Sequence, residues 1–521
     1  MPAATKLTPP KDGVTVRMYR QGHGDCFLIA FARKESTKPY YVMIDCGFKP
    51  GSGSAKYLKH PNKIDAVVEH LRAACDGHLD LVILTHEHQD HLNGLWKAKD
   101  PYFGKFKIEE VWLAWTEDPG NALANELRKR HKDQLLGLLG ARQRLAAVAG
   151  EDNAALKRID ALLSFELGGA ENLGLEAMRA AAANPETSVN KQGMKLIKDK
   201  AAERKGCTYL SPGGKPQTLD GTGVRAFILG PPESADLIAD EDPRDGEGFP
   251  RGHGLSFAAA ADPDAATRRP PFGRHHYVSL REAFTKLDNV SPDDPLNKAV
   301  DFFTQHYGEG AKSVADPDET QKEAPLDAPW RRIDDEWLYS AETLALKLNT
   351  GINNTSLVVA FELPHSKKVL FFAADAQRGN WVSWKDVKFK GDNADVTAKD
   401  LMSRAVLYKT GHHGSHNATL SGTTKDKHPN LGWMGLGSAA SEFTAMITAV
   451  NKWALEANDP PWVHPLPSIK KALYEKTQGR LFQTDQDSLK KPNDVSAADW
   501  KRFTDRTVVD DMYFDWQVLD T

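Results

Sequence analysis

The chain has 521 residues, enough at roughly 150 residues per domain for two to four domains, or for one domain with large insertions. With 40% hydrophobic and 26% charged residues it is neither a fully disordered nor a collagen-like or fibrous chain. Lys+Arg 67 against Asp+Glu 71 leaves a net charge of -4, so no global positive field is available to hold nucleic acid, although a local basic groove remains open.

No run approaches the roughly 18 uninterrupted apolar residues that a membrane span needs, and the start MPAATKLTPPKDG lacks the apolar core of a secretory signal. The expected address is cytoplasmic, without membrane contact. The four cysteines (Cys26, Cys46, Cys75, Cys207) have no CxxC or zinc-ribbon spacing, so any metal must be held by His and carboxylates.

In chain order, VTVRMYR, CFLIAFA and YYVMID read as strands of an opening meander. Helical spacing from about residue 55 to 74 leads into LDLVILT, a continuous apolar run of the kind a buried strand shows. IEEVWLAW is a further strand. From about 121 to 204 the chain is rich in Ala, Leu, Lys, Arg and Glu, with leucines near helical period, which predicts an inserted group of helices. VRAFILGPP returns to strand. From about 233 to 330 the composition shifts to Asp, Pro, Gly and Ala, the mark of a long surface insertion. Order resumes with SAETLALKL as a helix, TSLVVAFEL and KKVLFFAAD as strands, AKDLMSRA as a helix and AVLYKTG as a strand. Two helices, around 444–457 and 468–477, and the strands RLFQTD and VVDDMYFDWQVL complete the expectation. Two β-rich halves with flanking helices suggest two packed sheets covered by helices.

The strongest chemical signal is His86-Glu87-His88-Gln89-Asp90-His91, directly after LDLVILT. Three imidazoles and the carboxylate of Asp90 within six residues are the ligand types that Zn²⁺ and Mn²⁺ accept, and a turn after a strand can aim them at neighbouring metal positions. H-x-H-x-D-H after a buried strand resembles the metallo-β-lactamase fold superfamily. GHGDC near the start, Asn353-Asn354-Thr355-Ser356-Leu357 and Gly411-His412-His413-Gly414-Ser415 narrow the likeness to the hydrolase domain of ComEC-type DNA-uptake proteins and their soluble relatives.

The resemblance implies an α/β fold, a metallo-β-lactamase αββα sandwich with large helical and loop insertions. Its halves would be 14–120 and 336–521, the latter with a C-terminal tail. Between them would lie a helical insertion (121–205), a core strand region (206–232) and a Pro/Asp-rich insertion (233–335), with both insertions outside the sheets and flanking the site mouth. It also implies two divalent ions, Zn or Mn, held by His86, His88, Asp90, His91, Asp375 and one of the pair His412 and His413, which the sequence cannot tell apart. Nominally, His412 is the ligand and His413 the catalytic donor to the leaving oxygen, with Asp90 counted as catalytic too. Asp375 follows an Ala where the superfamily commonly has Gly. Asp45 in YYVMIDCG would support the metal loop. Asn353 and Asn354 stand where a third His is usual and, with Ser415 and His416, are expected to touch substrate; His464 is open between a structural and a functional role.

The implied activity is hydrolysis of a phosphodiester by a hydroxide that two metals activate, with DNA or RNA as substrate. Two other readings stand beside this nuclease or phosphodiesterase. One is hydrolysis of a lactone, thioester or other small ester; the other is a metal-stabilised interaction module that recruits protein partners through its insertions. The basic run Lys191, Lys195, Lys198, Lys200, Arg204 and Lys205 could track phosphates or be a solvated helix face.

Overall fold

Long apolar strands bury both faces here, and that decides the layering. The computed structural model describes residues 6–96, 102–149, 154–167, 184, 188–250, 351–391, 395–457 and 461–521. The first sheet contains β1 (Gly13–Tyr19), β2 (Cys26–Arg33), β3 (Ser36–Cys46), β4 (His78–Ile83), β5 (Lys107–Ala114) and β6 (Gly206–Leu210). The second is built from β7 (Gln217–Thr218), β8 (Arg225–Gly230), β9 (Val358–Glu362), β10 (Val369–Phe372), β13 (Ala405–Lys409), β14 (Thr444–Ile447) and β15 (Leu481–Gln483). A separate small ribbon joins β11 (Lys388–Phe389) to β12 (Val396–Thr397).

The last two strands, β16 (Thr507–Val509) and β17 (Tyr513–Leu519), return to the first sheet, whose order is β16-β17-β1-β2-β3-β4-β5-β6. The second sheet runs β15-β14-β13-β10-β9-β8-β7. β3 to β6 are parallel, and so are β10, β13, β14 and β15; the remaining neighbours are antiparallel.

Side chains alternate along a strand, so each sheet offers two apolar faces. Val16, Ile29, Ile44 and Ile83 of the first sheet share one core with Phe361, Leu370, Phe372 and Met446 of the second. The opposite face of the first sheet (Leu28, Met43, Val82) is covered by the helices Ile64–Ala74 and Val189–Ala202. Trp381, Trp384, Leu401, Ile469 and Leu473, from helices 378–383, 398–403 and 467–476 and the turn after the first, cover the outer face of the second. The protein is thus a mixed α/β structure of parallel and antiparallel strands.

Four expectations change. The helix expected from about 55 begins only at Ile64, because Pro61 blocks earlier turns and Ser52 is used to hold the His23 loop through its hydroxyl, 2.9 Å from His23 N. Residues 444–447, read as the start of a helix, form β14, a fully buried parallel strand between β13 and β15; a helix follows only at Asn451–Glu456. VVDDMYFDWQVL is two strands of a hairpin and not one, and it belongs to the first sheet. The helix Val189–Ala202, placed in the insertion ending at 205, is part of the layer on the first sheet through Met194, Ile197 and Ala201. The helix expected in SAETLALKL and most of the 233–335 segment lie outside the described residues. No helix among the described residues is long and apolar enough to cross a membrane.

Candidate metal centre

The carboxyl ends of parallel strands collect at one edge of the two sheets, the position where α/β sheets place their ligands. Asp45 ends β3, the His86–His91 turn follows β4, Asp375 follows β10, His412 and His413 follow β13, and Thr448 follows β14. Asp25 enters at the same edge, since it precedes β2, which runs antiparallel to β3. Two glycines let the backbones meet there. A Cβ on Gly47 would stand 2.2 Å from His91 N, and one on Gly24, at φ +144°, would stand 2.5 Å from Asp90 O.

Two buried donor groups result, and they share one carboxylate. Asp90, His91, Asp375 and His413 form one; His86, His88 and Asp375 form the other. Asp375 Oδ2 is 3.2 Å from His91 Nε2, 3.5 Å from His413 Nε2 and 3.9 Å from His86 Nε2. His86 Nε2 and His88 Nδ1 are 3.1 Å apart. The donor set fits divalent ions: it is all imidazole and carboxylate, and the buried Asp90 Oδ1 and His91 Nε2 have no hydrogen-bond partner among the described residues.

Asp45 stands behind His91. Its Oδ2 is 2.7 Å from His91 Nδ1 and accepts from the Thr85 hydroxyl at 2.6 Å, while Oδ1 accepts from Thr85 N at 2.9 Å. A carboxylate behind a ligand imidazole fixes its ring and its tautomer. Asp45 (φ 53°), Ala374 (φ 48°), His412 (φ 37°) and His413 (φ 53°) all adopt left-handed backbone, a strain that clusters at functional sites. Ala374, directly before Asp375, keeps the left-handed conformation that Gly would adopt freely.

The pair His412 and His413 is separated by geometry. His413 Nε2 is 3.1 Å from Asp90 Oδ2, and its Nδ1 is 3.0 Å from the Thr448 hydroxyl. His413 therefore joins a donor group, and His412, the nominal ligand, joins neither. Ser415 Oγ donates to Asn417 Oδ1 at 2.7 Å, so it accepts from His412 Nδ1 at 2.9 Å. That tautomer leaves a lone pair on Nε2 of a half-buried ring, 3.5 Å from Asn353 Nδ2.

The expected substrate contacts divide. Asn353 is buried beside His412. Asn354 is not available to a substrate: its amide donates to Ile238 O (3.1 Å) and Asp240 O (3.0 Å), and its oxygen accepts from Gln377 N (3.0 Å). Ser415 holds His412. His416 turns away to Asp242 Oδ1 at 2.9 Å. His464 lies with its ring centroid 5.2 Å from that of His412 and 5.6 Å from that of His23.

Several contributors escaped the sequence reading. Lys409 is buried, with Nζ 2.5 Å from Asp25 Oδ2, 3.4 Å from Asp375 Oδ1 and donating to Ala374 O at 2.7 Å. Asp25, inside the noted GHGDC, also accepts from the Thr448 hydroxyl at 2.5 Å. Glu166 stands 3.5 Å from His88; nothing in its Ala/Leu-rich surroundings marks it. The basic run is largely neutralised: Lys191 pairs with Glu87 and Glu117, Lys195 with Asp199, Arg204 with Glu109 and Lys205 with Asp220.

The charges are strongly coupled. Burial alone would raise Asp375, but His91, His413 and Lys409 hold it well below the usual carboxylate range. Burial alone would lower His413, yet Asp375 and Asp90 push it up to about 9. His412 moves the other way, down to about 4, because burial outweighs the pull of Asp375. Buried carboxylates that bind protons onto neighbouring imidazoles are a cation-seeking arrangement. No family model matches the chain, and no curated protein is similar enough to it to count as a relative.

Proposed function

We propose that the protein is a metal-dependent hydrolase of the metallo-β-lactamase fold that cleaves phosphodiesters, nucleic acid being the favoured substrate. The observation that carries this reading is the sharing of Asp375 between two buried donor groups. A carboxylate shared between two donor groups suits a pair of divalent ions, Zn or Mn. Two facing sheets with helices on both outer faces agree with an αββα sandwich, and the resemblance of GHGDC, NNTSL and GHHGS to ComEC-type hydrolase domains favours phosphorus over carbon as the centre attacked.

In this reading His86, His88 and Asp375 would hold one ion, and Asp90, His91, His413 and Asp375 the other. When bound, such ions acidify water and neutralise charge on the phosphate. The chain's own residues do the rest. Asp45 keeps His91 on the tautomer with Nε2 facing Asp375. Lys409 balances the charge of Asp25 and Asp375. His412, whose Nδ1 donates to Ser415 and whose Nε2 carries the lone pair, would take a proton from the attacking water on Nε2 and pass that same proton to the leaving oxygen.

The test is turnover of single- and double-stranded DNA, RNA, bis-p-nitrophenyl phosphate and a lactone by protein loaded with Zn²⁺ or Mn²⁺, beside Asp375→Asn. Phosphodiester cleavage that Asp375→Asn reduces at least a hundredfold is expected. Turnover of the lactone alone would select the small-ester reading, and an Asp375→Asn protein with full activity and metal content would reject the shared-carboxylate site.

A further inference from the structure

The helices between β5 and β6 reach into the centre. Glu166, on the helix Ala154–Leu167, has a buried side chain, with Oε1 3.5 Å from His88 Nε2 and Oε2 3.4 Å from His131 Nε2 on the helix Ala122–Ala149. The other ring nitrogen of His88, Nδ1, is the one beside His86 Nε2. Glu166 therefore stands behind His88 as Asp45 stands behind His91: in each case a carboxylate faces the ring nitrogen turned away from the donor group.

Asn190 joins the backbone of Glu166 to the loop that carries His88. Asn190 Nδ2 donates both to Glu87 O, at 2.8 Å, and to Glu166 O, at 3.4 Å. Arg142 spans the two inserted helices with paired bonds to Asp160, Nε to Oδ1 at 2.8 Å and Nη2 to Oδ2 at 2.9 Å, a planar fork that fixes their relative position.

We propose that Glu166 is a positioning residue for the metal position of His86 and His88, lent to the centre by the helical segment 122–167. The inference rests on the metal reading above. A carboxylate behind a ligand imidazole orients the ring and raises its basicity, and losing one costs about 10–100-fold in metal affinity. The segment is then part of the centre and not only a wall around it: His88 is correctly aimed only when the helices are docked.

The experiment is metal binding by the full-length protein, with stoichiometry from elemental analysis, affinity from chelator competition, and the visible spectrum of the Co²⁺ form. Wild type, Glu166→Gln, Glu166→Ala and Asp160→Asn are compared. The expected result is two equivalents in wild type, with one of them weakened about 10–100-fold in Glu166→Ala and an altered Co²⁺ spectrum. Glu166→Gln keeps the shape, guards against a folding defect and should be weakened in the same direction. Asp160→Asn weakens the Arg142 fork without touching His88 and, at a temperature where the helices stay docked and both proteins are folded, should bind the second ion within about twofold of wild type. Unchanged affinity in both Glu166 variants, or an equal loss in Asp160→Asn, overturns the positioning role and leaves the metal reading standing. A wild-type protein that takes up no divalent ion rejects both.

Discussion

His413 Nε2 lies 3.1 Å from Asp90 Oδ2, although the two residues follow strands of different sheets. On the proposed metal reading, that contact gives two adjacent histidines different work. His413→Ala removes a donor and is expected to lose metal together with activity. His412→Ala is expected to keep its metal content within experimental error while turnover falls about 10²–10⁴-fold, the usual size of a general acid or base contribution. Elemental analysis beside rates decides; metal loss in His412→Ala with full occupancy in His413→Ala would reverse the assignment.

The centre was legible wherever chemistry sat next to a buried strand. His86, His88, Asp90 and His91 follow a continuous apolar run, which makes them stand out, whereas Asp45 and Asp375, at the ends of two more strands, are picked out only by the resemblance. Residues that act through space gave no such sign. Lys409 reads as one polar residue at the end of the apolar strand AVLYK, and Glu166 as one acidic residue in a helix. The choice between His412 and His413 depends on left-handed φ values that no spacing encodes. The strand Thr444–Ile447 was read as helix because a four-residue run containing Ala and Met carries no period of its own; its neighbours β13 and β15 make it a strand. The return of β17 to pair with β1 is a contact across nearly the whole chain, invisible to local pattern.

That return is fastened by Arg17 of β1 and Asp515 of β17. Nε donates to Oδ1 at 2.7 Å and Nη2 to Oδ2 at 2.6 Å, with the guanidinium 3.6 Å above the Tyr513 ring. Removing one partner leaves a buried charge unpaired, which costs about 3–5 kcal/mol, whereas replacing both by apolar groups is often neutral. Asp515→Ala should lower the denaturation midpoint and expose the C-terminal hairpin to limited proteolysis, and Arg17→Met with Asp515→Leu should restore most of the loss. Equal instability of the single and the double variant would show that the pair itself, and not the orphaned charge, matters.

A last prediction concerns Asp80, remote from the metal centre, where β4 lies beside β3. Its Oδ2 accepts from Tyr41 N at 2.8 Å, its Oδ1 is 3.4 Å from His78 Nε2, and Arg33 forms an ion pair with it. Burial alone would raise this carboxyl, but His78, the Tyr41 amide and Arg33 together hold it below its usual value. A depressed folded pKa means that the ionised form is the one that stabilises. The contribution is complete above the unfolded value of about 3.9 and disappears as pH falls through the lower folded value. Asp80→Asn should therefore cost about 1–3 kcal/mol at neutral pH. In metal-free protein, the gap in denaturation midpoint between wild type and variant should hold from neutral pH down to about 5 and close as pH falls through the lowered folded value, where wild type carries a neutral carboxyl of nearly the same shape. A gap that persists at the acid end would mean that the shape of the side chain, and not its charge, fixes the edge of β4 against β3.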